Sequence, residues 1–332
     1  MRNKNNKHLG IEIDPELHYK LHYISKYYGR SANGEILYLI RQEIKAIKST
    51  KQMMLTMKMI SSARIKKAQQ QMEDGRPFAK KMAVMIDNLR KDIQNPSSEI
   101  HNLPAYRFFD NSSADKNSVG LLLITADKGL CGAFNAVALR AALKWVRDNS
   151  DKEKYVFVVG KKGRDFMRRL KIPKLHIAGE LIGIFPRASY AHAAMIKDTF
   201  AELSQKYNIS TVDLIYNDFK SMASQTLVSK RFLPFDFDEV PGEEDVSDFI
   251  FEPSMMEIFL TLIPRYLSSS IYRYLLESQA AELAARMNAM EAASKNAGEI
   301  ADNLSVKLNK VRQATITNEI TEIVSGANAL NN

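Results

Sequence analysis

From Glu282 to Leu330 the chain runs 49 residues without a proline, and Gly298 and Gly326 are its only glycines there. Apolar or small residues recur at steps of four and three: Leu283, Met287, Met290, Ser294, Ala297, Ala301, Leu304, Leu308 and Val311. One narrow stripe repeating about every 3.5 residues is the seam of a two-helix coiled coil. Its Ala and Ser content lets a partner helix approach closely. A long amphipathic helix in a bundle has the same periodicity, so the pattern fixes a helix and a seam but not what lies across it.

With 332 residues the chain is long enough for a compact domain plus extended helices. No run approaches the roughly 20 apolar residues that span a bilayer. The opening MRNKNNKH is charged and lacks the apolar core of a signal peptide. Cys131 is the single cysteine, which excludes an internal disulfide and suits a reducing cytoplasm. Residues 1–70 carry 14 Lys and Arg against 5 Asp and Glu, so the whole formal surplus of +9 sits in that fifth of the chain. Such a segment suggests nucleic acid, an acidic protein surface or a solvated basic helix.

The middle alternates strand and helix. Val119 to Thr125, Tyr155 to Gly160 and Val212 to Asp218 are continuous apolar runs, read as buried strands. Phe134 to Asn149, Lys162 to Leu170 and Arg187 to Tyr207 are read as helices, and Ser224 to Phe235 as a further, edge strand. The fold class is α/β, a parallel sheet covered on both faces, flanked by long N- and C-terminal helices that form an antiparallel coiled coil. Asp127-Lys128-Gly129-Leu130-Cys131-Gly132 is the turn after the first buried strand. It has neither GxGxxG nor GxxxxGKS/T, so the glycines are assigned to a tight turn and close packing, and Asp127 to capping of backbone amides. His18 and His22 stand at i, i+4 without a third ligand. No catalytic residue set, metal site or cofactor is assigned.

The first 45 residues read as a separate small module. His8 to Asp14 alternates, with Leu9, Ile11 and Ile13 on one face and Gly10 and Glu12 on the other, the pattern of a half-buried strand. Asp14-Pro15-Glu16 starts a helix that stops at Gly29, and Ser31 caps a second with Ile36, Leu39, Ile40, Ile44 and Ile47 as its buried stripe. Strand, helix, GRS turn and helix resemble the Arc-like ribbon-helix-helix fold. That resemblance implies a dimer whose paired strands enter the DNA major groove. His8, Gly10 and Glu12 would then face bases, and Ser31 and Ala32 a phosphate.

The words ARMNAM, SKNAGE, VRQATIT and NEITEIVSGA, with ITADKGLCGAFN at Ile124 to Asn135 and MKMISSARIKKAQ at Met57 to Gln69, resemble the gamma subunit of F-type ATP synthases. The resemblance covers about residues 47–330. It divides the chain into the module at 1–45, an N-terminal shaft helix at 46–95, an α/β domain at 96–250 and a C-terminal shaft helix at 251–332. It implies a non-catalytic rotor at the cytoplasmic face of a bacterial membrane, coupling ion-driven rotation to ATP synthesis. Its partners would be alpha and beta subunits, an epsilon subunit and a membrane c-ring. Arg312, Gln313 and Thr317 match positions that contact a beta-subunit loop, while Met57, Lys58, Arg64, Lys66 and Lys67 would face the beta subunits lower on the shaft. Ile320, Ile323 and Val324 would form an apolar bearing, and Asp127, Lys128, Gly129, Cys131 and Gly132 are the family turn. A dimeric DNA-binding regulator acting through residues 8–47, with DNA and self-pairing confined to that module, is the alternative. Against the family pattern, about three residues are missing between Lys51 and Met57, so the apolar face is expected to change phase there, as at a gene junction.

Overall fold

The computed structural model describes residues 7–8, 12–93, 106, 108, 115–185, 187–234, 252 and 254–330. The chain divides into two units, one of residues 1–57 with 290–332 and one of residues 58–289. Two helices contribute to both: α2 (Ala32–Ile93) and α6 (Met255–Leu330), of 62 and 76 residues. At 1.5 Å per residue these are about 90 and 110 Å long. Pro77 lies inside α2, and the helix does not break at Gly75-Arg76-Pro77.

In the larger unit, five strands stand in the order β5-β4-β3-β6-β7. They are β3 (Asp115–Ile124), β4 (Glu153–Val159), β5 (Leu175–Leu181), β6 (Ile209–Phe219) and β7 (Gln225–Leu233). Pairings β3–β4, β3–β6 and β4–β5 are parallel; β7 closes one edge antiparallel to β6, so the sheet is mixed. Successive strand side chains point to opposite faces. Val119, Leu121 and Leu123 of β3 accordingly pack with α3 (Phe134–Asp148) and α4 (Lys161–Arg169) through Ala138, Ala142, Trp145 and Met167. Leu122 and Ile124 pack on the other face with Ile196 and Phe200 of α5 (Tyr190–Tyr207), Ile86 and Leu89 of α2, and Phe259, Ile263 and Leu267 of α6. Each such buried Leu, Ile or Phe contributes about 1.5–3 kcal/mol. That is why residues far apart in sequence close one domain.

The smaller unit contains the seam. Ile36 near the start of α2 packs with Val311 near the end of α6, in a cluster with Leu21 and Ala32. Farther along, Lys51 lies over Gly298, where an added methyl would sit 3.0 Å from its Nζ. As the α2 number rises the α6 number falls, so the two helices are antiparallel. Met290, Ser294, Ala297, Ala301 and Val311 are buried, on the stripe expected from the sequence. Leu304 and Leu308 on the same stripe are half-buried.

Two expectations for the N-terminal region are corrected. The residues read as one strand from His8 to Asp14 instead pair with each other: β1 (Lys7–His8) lies antiparallel to β2 (Glu12–Ile13), with His8 opposite Glu12. Gly10, with Leu9 and Ile11, lies outside the described residues. The change of phase after Lys51 is also absent. Covered positions of α2 run 36, 40, 44, 47, 51, 54, 58, 61, 65 and 68, in unbroken steps of four and three. Of Ile36, Leu39, Ile40, Ile44 and Ile47, read as one buried stripe, Leu39 is 50% exposed, one residue off the covered line, and the other four lie along the first turns of α2.

Helix α1 (Pro15–Tyr27) is capped by Asp14, which accepts from Leu17 N at 2.8 Å. It buries only Leu21 and Ser25. One leucine contributes roughly 1.5–3 kcal/mol, and ordering a residue costs about 1–2 kcal/mol. The seat alone therefore does not account for a 13-residue helix.

Gly160, between β4 and α4, has φ +94° and leaves no room for a side chain; a Cβ there would lie 2.2 Å from Thr125 O. Gly160→Ala should lower stability by at least about 3 kcal/mol, seen as a drop in the urea midpoint. A change below about 1 kcal/mol would show that the turn relaxes freely.

Candidate functional site

In an open α/β sheet the place for a ligand is the crevice at the carboxyl ends of the strands, where the strand order reverses. Here that point lies between β3 and β6, and the glycine turn stands on it. Helix α6 fills it. Ala281 and Ala285 pack against Ala126, Cys131, Phe134 and Phe219 in one cluster. Gly132 has φ +56°, and a Cβ on it would lie 3.9 Å from Ala289 Cβ and 4.0 Å from Ala285 O. Small residues on both sides let helix and turn meet almost backbone to backbone. The space a phosphate would need is taken by the chain's own helix.

Polar groups lock this junction. Asp127 accepts from Lys161 N and from Gly183 N, both at 3.0 Å, tying the turn to the ends of β4 and β5. Thr125 Oγ1 accepts from Gly163 N at 2.9 Å and donates to Val159 O at 2.9 Å. Asn135 Oδ1 accepts from Ala126 N at 2.9 Å. From α6, Arg286 donates to Gly129 O at 3.3 Å while pairing with Glu282 at 2.5 Å, and Asn288 donates to Met222 O at 2.8 Å. Lys128 points outward, and Cys131 is buried, where loss of solvation pushes its thiol pKa up. One turn earlier on α6, Glu277 accepts from Tyr216 OH at 2.9 Å and lies 3.7 Å from Arg273. Burial raises the pKa of both glutamates, against the pull of Arg286 on Glu282 and of Arg273 and Tyr216 on Glu277. Glu277, Glu282, Arg286 and Asn288 escaped the sequence reading. Their signal was the two opposite-charge pairs at i, i+4 in an otherwise apolar, alanine-rich stretch.

The other assigned residues lie on helix surfaces. Arg312, Gln313 and Thr317 are exposed on α6, with Thr317 Oγ1 donating to Gln313 O at 2.9 Å. Ile320, Ile323 and Val324 are 56%, 72% and 52% exposed, a large apolar surface for adjacent turns of one helix. On α2, Met57 and Lys58 are half-buried, and Arg64, Lys66 and Lys67 are exposed around buried Ile65, which packs on Leu283 and Ala284. Ser31 Oγ accepts from Gly34 N at 3.0 Å as a helix cap, and Ala32 is buried. The rings of His18 and His22 are 4.4 Å apart. Among the described residues no three His, Cys, Asp or Glu side chains converge as a metal site, and no helix is long and apolar enough to cross a membrane.

Two outcomes follow for the junction. Glu282→Ala leaves Arg286, a largely buried cation, without its partner, and should cost about 3 kcal/mol in a denaturant titration. Because the folded pKa of Glu282 is raised, the folded chain keeps a proton that the unfolded chain has released. Its stabilising contribution is fully present below the ordinary glutamate range and is lost as pH rises through the raised value. Glu282→Gln should flatten that slope; an unchanged slope would exclude Glu282 as its source.

A family profile described as ATP synthase matches residues 37–330. The ATP synthase gamma chain of Elusimicrobium minutum is 52% identical over 296 residues, 88% of this chain and 98% of that relative. That of Solibacter usitatus is 38% identical, over 87% and 97%. The central stalk and c-ring structure of Tetrahymena thermophila mitochondrial ATP synthase contains a chain 27% identical, with TM-score 0.52, over 73% of this chain and 99% of that one. A chain of the Euglena gracilis mitochondrial enzyme shares the fold, with TM-score 0.60 at 18% identity, over 90% and 95%. The profile begins at 37, inside α2, so most of the helix assigned to a ribbon-helix-helix module lies within the matched family. Neither that module nor DNA binding gains support. On the profile match and the 52% identity, the chain belongs to the ATP synthase gamma-chain family.

Proposed function

We propose that this chain is the central rotor of a bacterial ATP synthase, standing at the cytoplasmic face of the membrane between a head of alpha and beta subunits and an epsilon–c-ring base. The observation that carries the reading is the antiparallel pairing of α2 with α6 at Ile36–Val311 and Lys51–Gly298. Two helices paired through small side chains make a stiff rod whose surface differs from side to side. A turning rod of that kind touches each beta subunit differently at each angle. It biases a catalytic site only by the difference in its contact energy with the open and closed states.

Arg312, Gln313 and Thr317 supply directional hydrogen bonds to a beta-subunit loop, and Lys58, Arg64, Lys66 and Lys67, with Met57, supply a cationic side lower down. Ile320, Ile323 and Val324 slide against apolar walls, where contact without fixed geometry permits rotation. The α/β domain is the handle through which torque enters, and the Arg286–Gly129 and Asn288–Met222 bonds keep α6 from slipping in it. The chain carries no chemistry of its own in this role and works as a non-catalytic subunit.

Co-expression with alpha and beta subunits of a close relative tests the reading. An assembled head should turn a bead fixed to the α/β domain when supplied with ATP. Arg312→Ala with Gln313→Ala should slow turning by about tenfold, the equivalent of 1.4 kcal/mol of lost contact. Failure of the unaltered chain to join the head would contradict the rotor reading.

A further inference from the structure

Within the α/β unit, α6 lies between two walls. Glu277 and Arg286 are nine residues apart on it, so at about 3.6 residues per turn they leave the helix on opposite sides, about 14 Å apart along its axis. Arg286 reaches Gly129 O in the turn after β3. Glu277 reaches the other wall, where Tyr216 OH of β6 donates to its Oε2 at 2.9 Å. Asn288 projects on the Glu277 side again, about 20° from it, and donates to Met222 O between β6 and β7. Ala281 and Ala285 point between the walls, into the cluster with Ala126, Phe134 and Phe219. The Tyr216 phenol is held in place: its ring lies 5.1 Å from that of Tyr274, which meets Phe232 edge to face at 6.2 Å. Arg273 stands 3.7 Å from the other oxygen of Glu277, and the Asp218–Lys220 pair, at 2.6 Å, adds its charges nearby. Burial and the Glu277 carboxylate hold the Tyr216 pKa far above the usual phenol value, so the hydroxyl stays a donor.

We propose that Tyr216 and Glu277 are positioning residues for the rotor: their bond fixes the roll angle of α6 in the α/β domain, so that turning the domain turns the helix without slip. The inference rests on the rotor reading and gives a role to a pair that reading does not use. Torque tends to roll a helix in its seat. Phe259, Ile263 and Leu267 pack α6 on the sheet, but apolar contact resists separation without setting a direction. Ala281 and Ala285 are too small to act as cogs. A hydrogen bond weakens steeply as donor and acceptor turn out of line, so bonds on opposite sides of the helix oppose roll in either sense. Arg286 and Asn288 hold α6 at nearly one level. The Tyr216–Glu277 bond, about 14 Å from Arg286 along the axis, stops tilt as well as roll.

The test uses the full chain in a head assembled with alpha and beta subunits of a close relative, with a bead fixed to the α/β domain. Tyr216→Phe keeps the ring and loses the donor, Glu277→Ala loses the acceptor, and Glu277→Gln keeps an oxygen that accepts. Two quantities are read: ATP hydrolysis without a bead, and the fraction of ATP turnovers that fail to advance a large, drag-loaded bead. Loss of a hydrogen bond to a charged acceptor shifts an equilibrium by roughly tenfold or more. Tyr216→Phe and Glu277→Ala should each raise the failed fraction about tenfold and leave unloaded hydrolysis unchanged. Combined, they should do no more than either alone. Glu277→Gln should stay near the unaltered chain. Loaded turning by Tyr216→Phe as efficient as that of the unaltered chain overturns the inference and leaves the rotor reading intact. So does an equal fall in loaded and unloaded activity, or failure of Tyr216→Phe to assemble, because the pair then serves folding alone. An unaltered chain that joins no head, or turns no bead, removes the rotor reading and this inference with it.

Discussion

The structure depends on two ends of one chain lying side by side in opposite directions. Ile36 meets Val311 and Lys51 meets Gly298 because the α6 seam carries Ser294, Ala297 and Ala301 where larger residues would hold a second helix away. Small seam residues bury little area each. What they provide is close approach over many turns, and stiffness follows from its length rather than from any single contact. A helix standing alone at the length of α6 would bend; paired, each resists the curvature of the other.

The same helix removes the nucleotide site that an α/β sheet invites. At the reversal between β3 and β6, Ala281 and Ala285 fill the crevice, and Gly132 admits the α6 backbone. Arg286 donates to the Gly129 carbonyl and so clasps the turn to α6. A fold that elsewhere binds ligands here grips a rod. The cost is two glutamates drawn out of water, Glu282 buried and Glu277 half-buried, each with an arginine one turn away. The gain is a junction that cannot slide without breaking charged contacts.

Much of this was legible in the amino acids. The 3.5-residue stripe in α6, the continuous apolar strands and the glycine turn each follow a period or composition that few structures share. Strand β5 was missed because LHIAGEL is half-covered along its length, with His176 and Glu180 breaking the apolar run. The N-terminal strand was misplaced because alternation cannot tell a strand that meets another chain from one that folds back on itself, as Lys7–His8 does on Glu12–Ile13. The change of phase expected after Lys51 from residues missing against the family pattern is absent, since the covered stripe of α2 runs from Ile36 through Ile65 without a shift. The grip residues were hidden for another reason: Arg286 and Asn288 act on carbonyls of Gly129 and Met222, and no linear pattern marks a distant backbone oxygen.

Cysteine pairs measure the central pairing most directly. On a Cys131→Ser background, Ile36→Cys with Val311→Cys and Lys51→Cys with Gly298→Cys should each be joined within one chain by a short thiol-to-thiol cross-linker. The mismatched pair Ile36→Cys with Gly298→Cys, separated by about 20 Å along the helices, should not be joined. Cross-linking of the mismatched pair alone, or of neither matched pair, would contradict an antiparallel shaft made from the two ends of this chain.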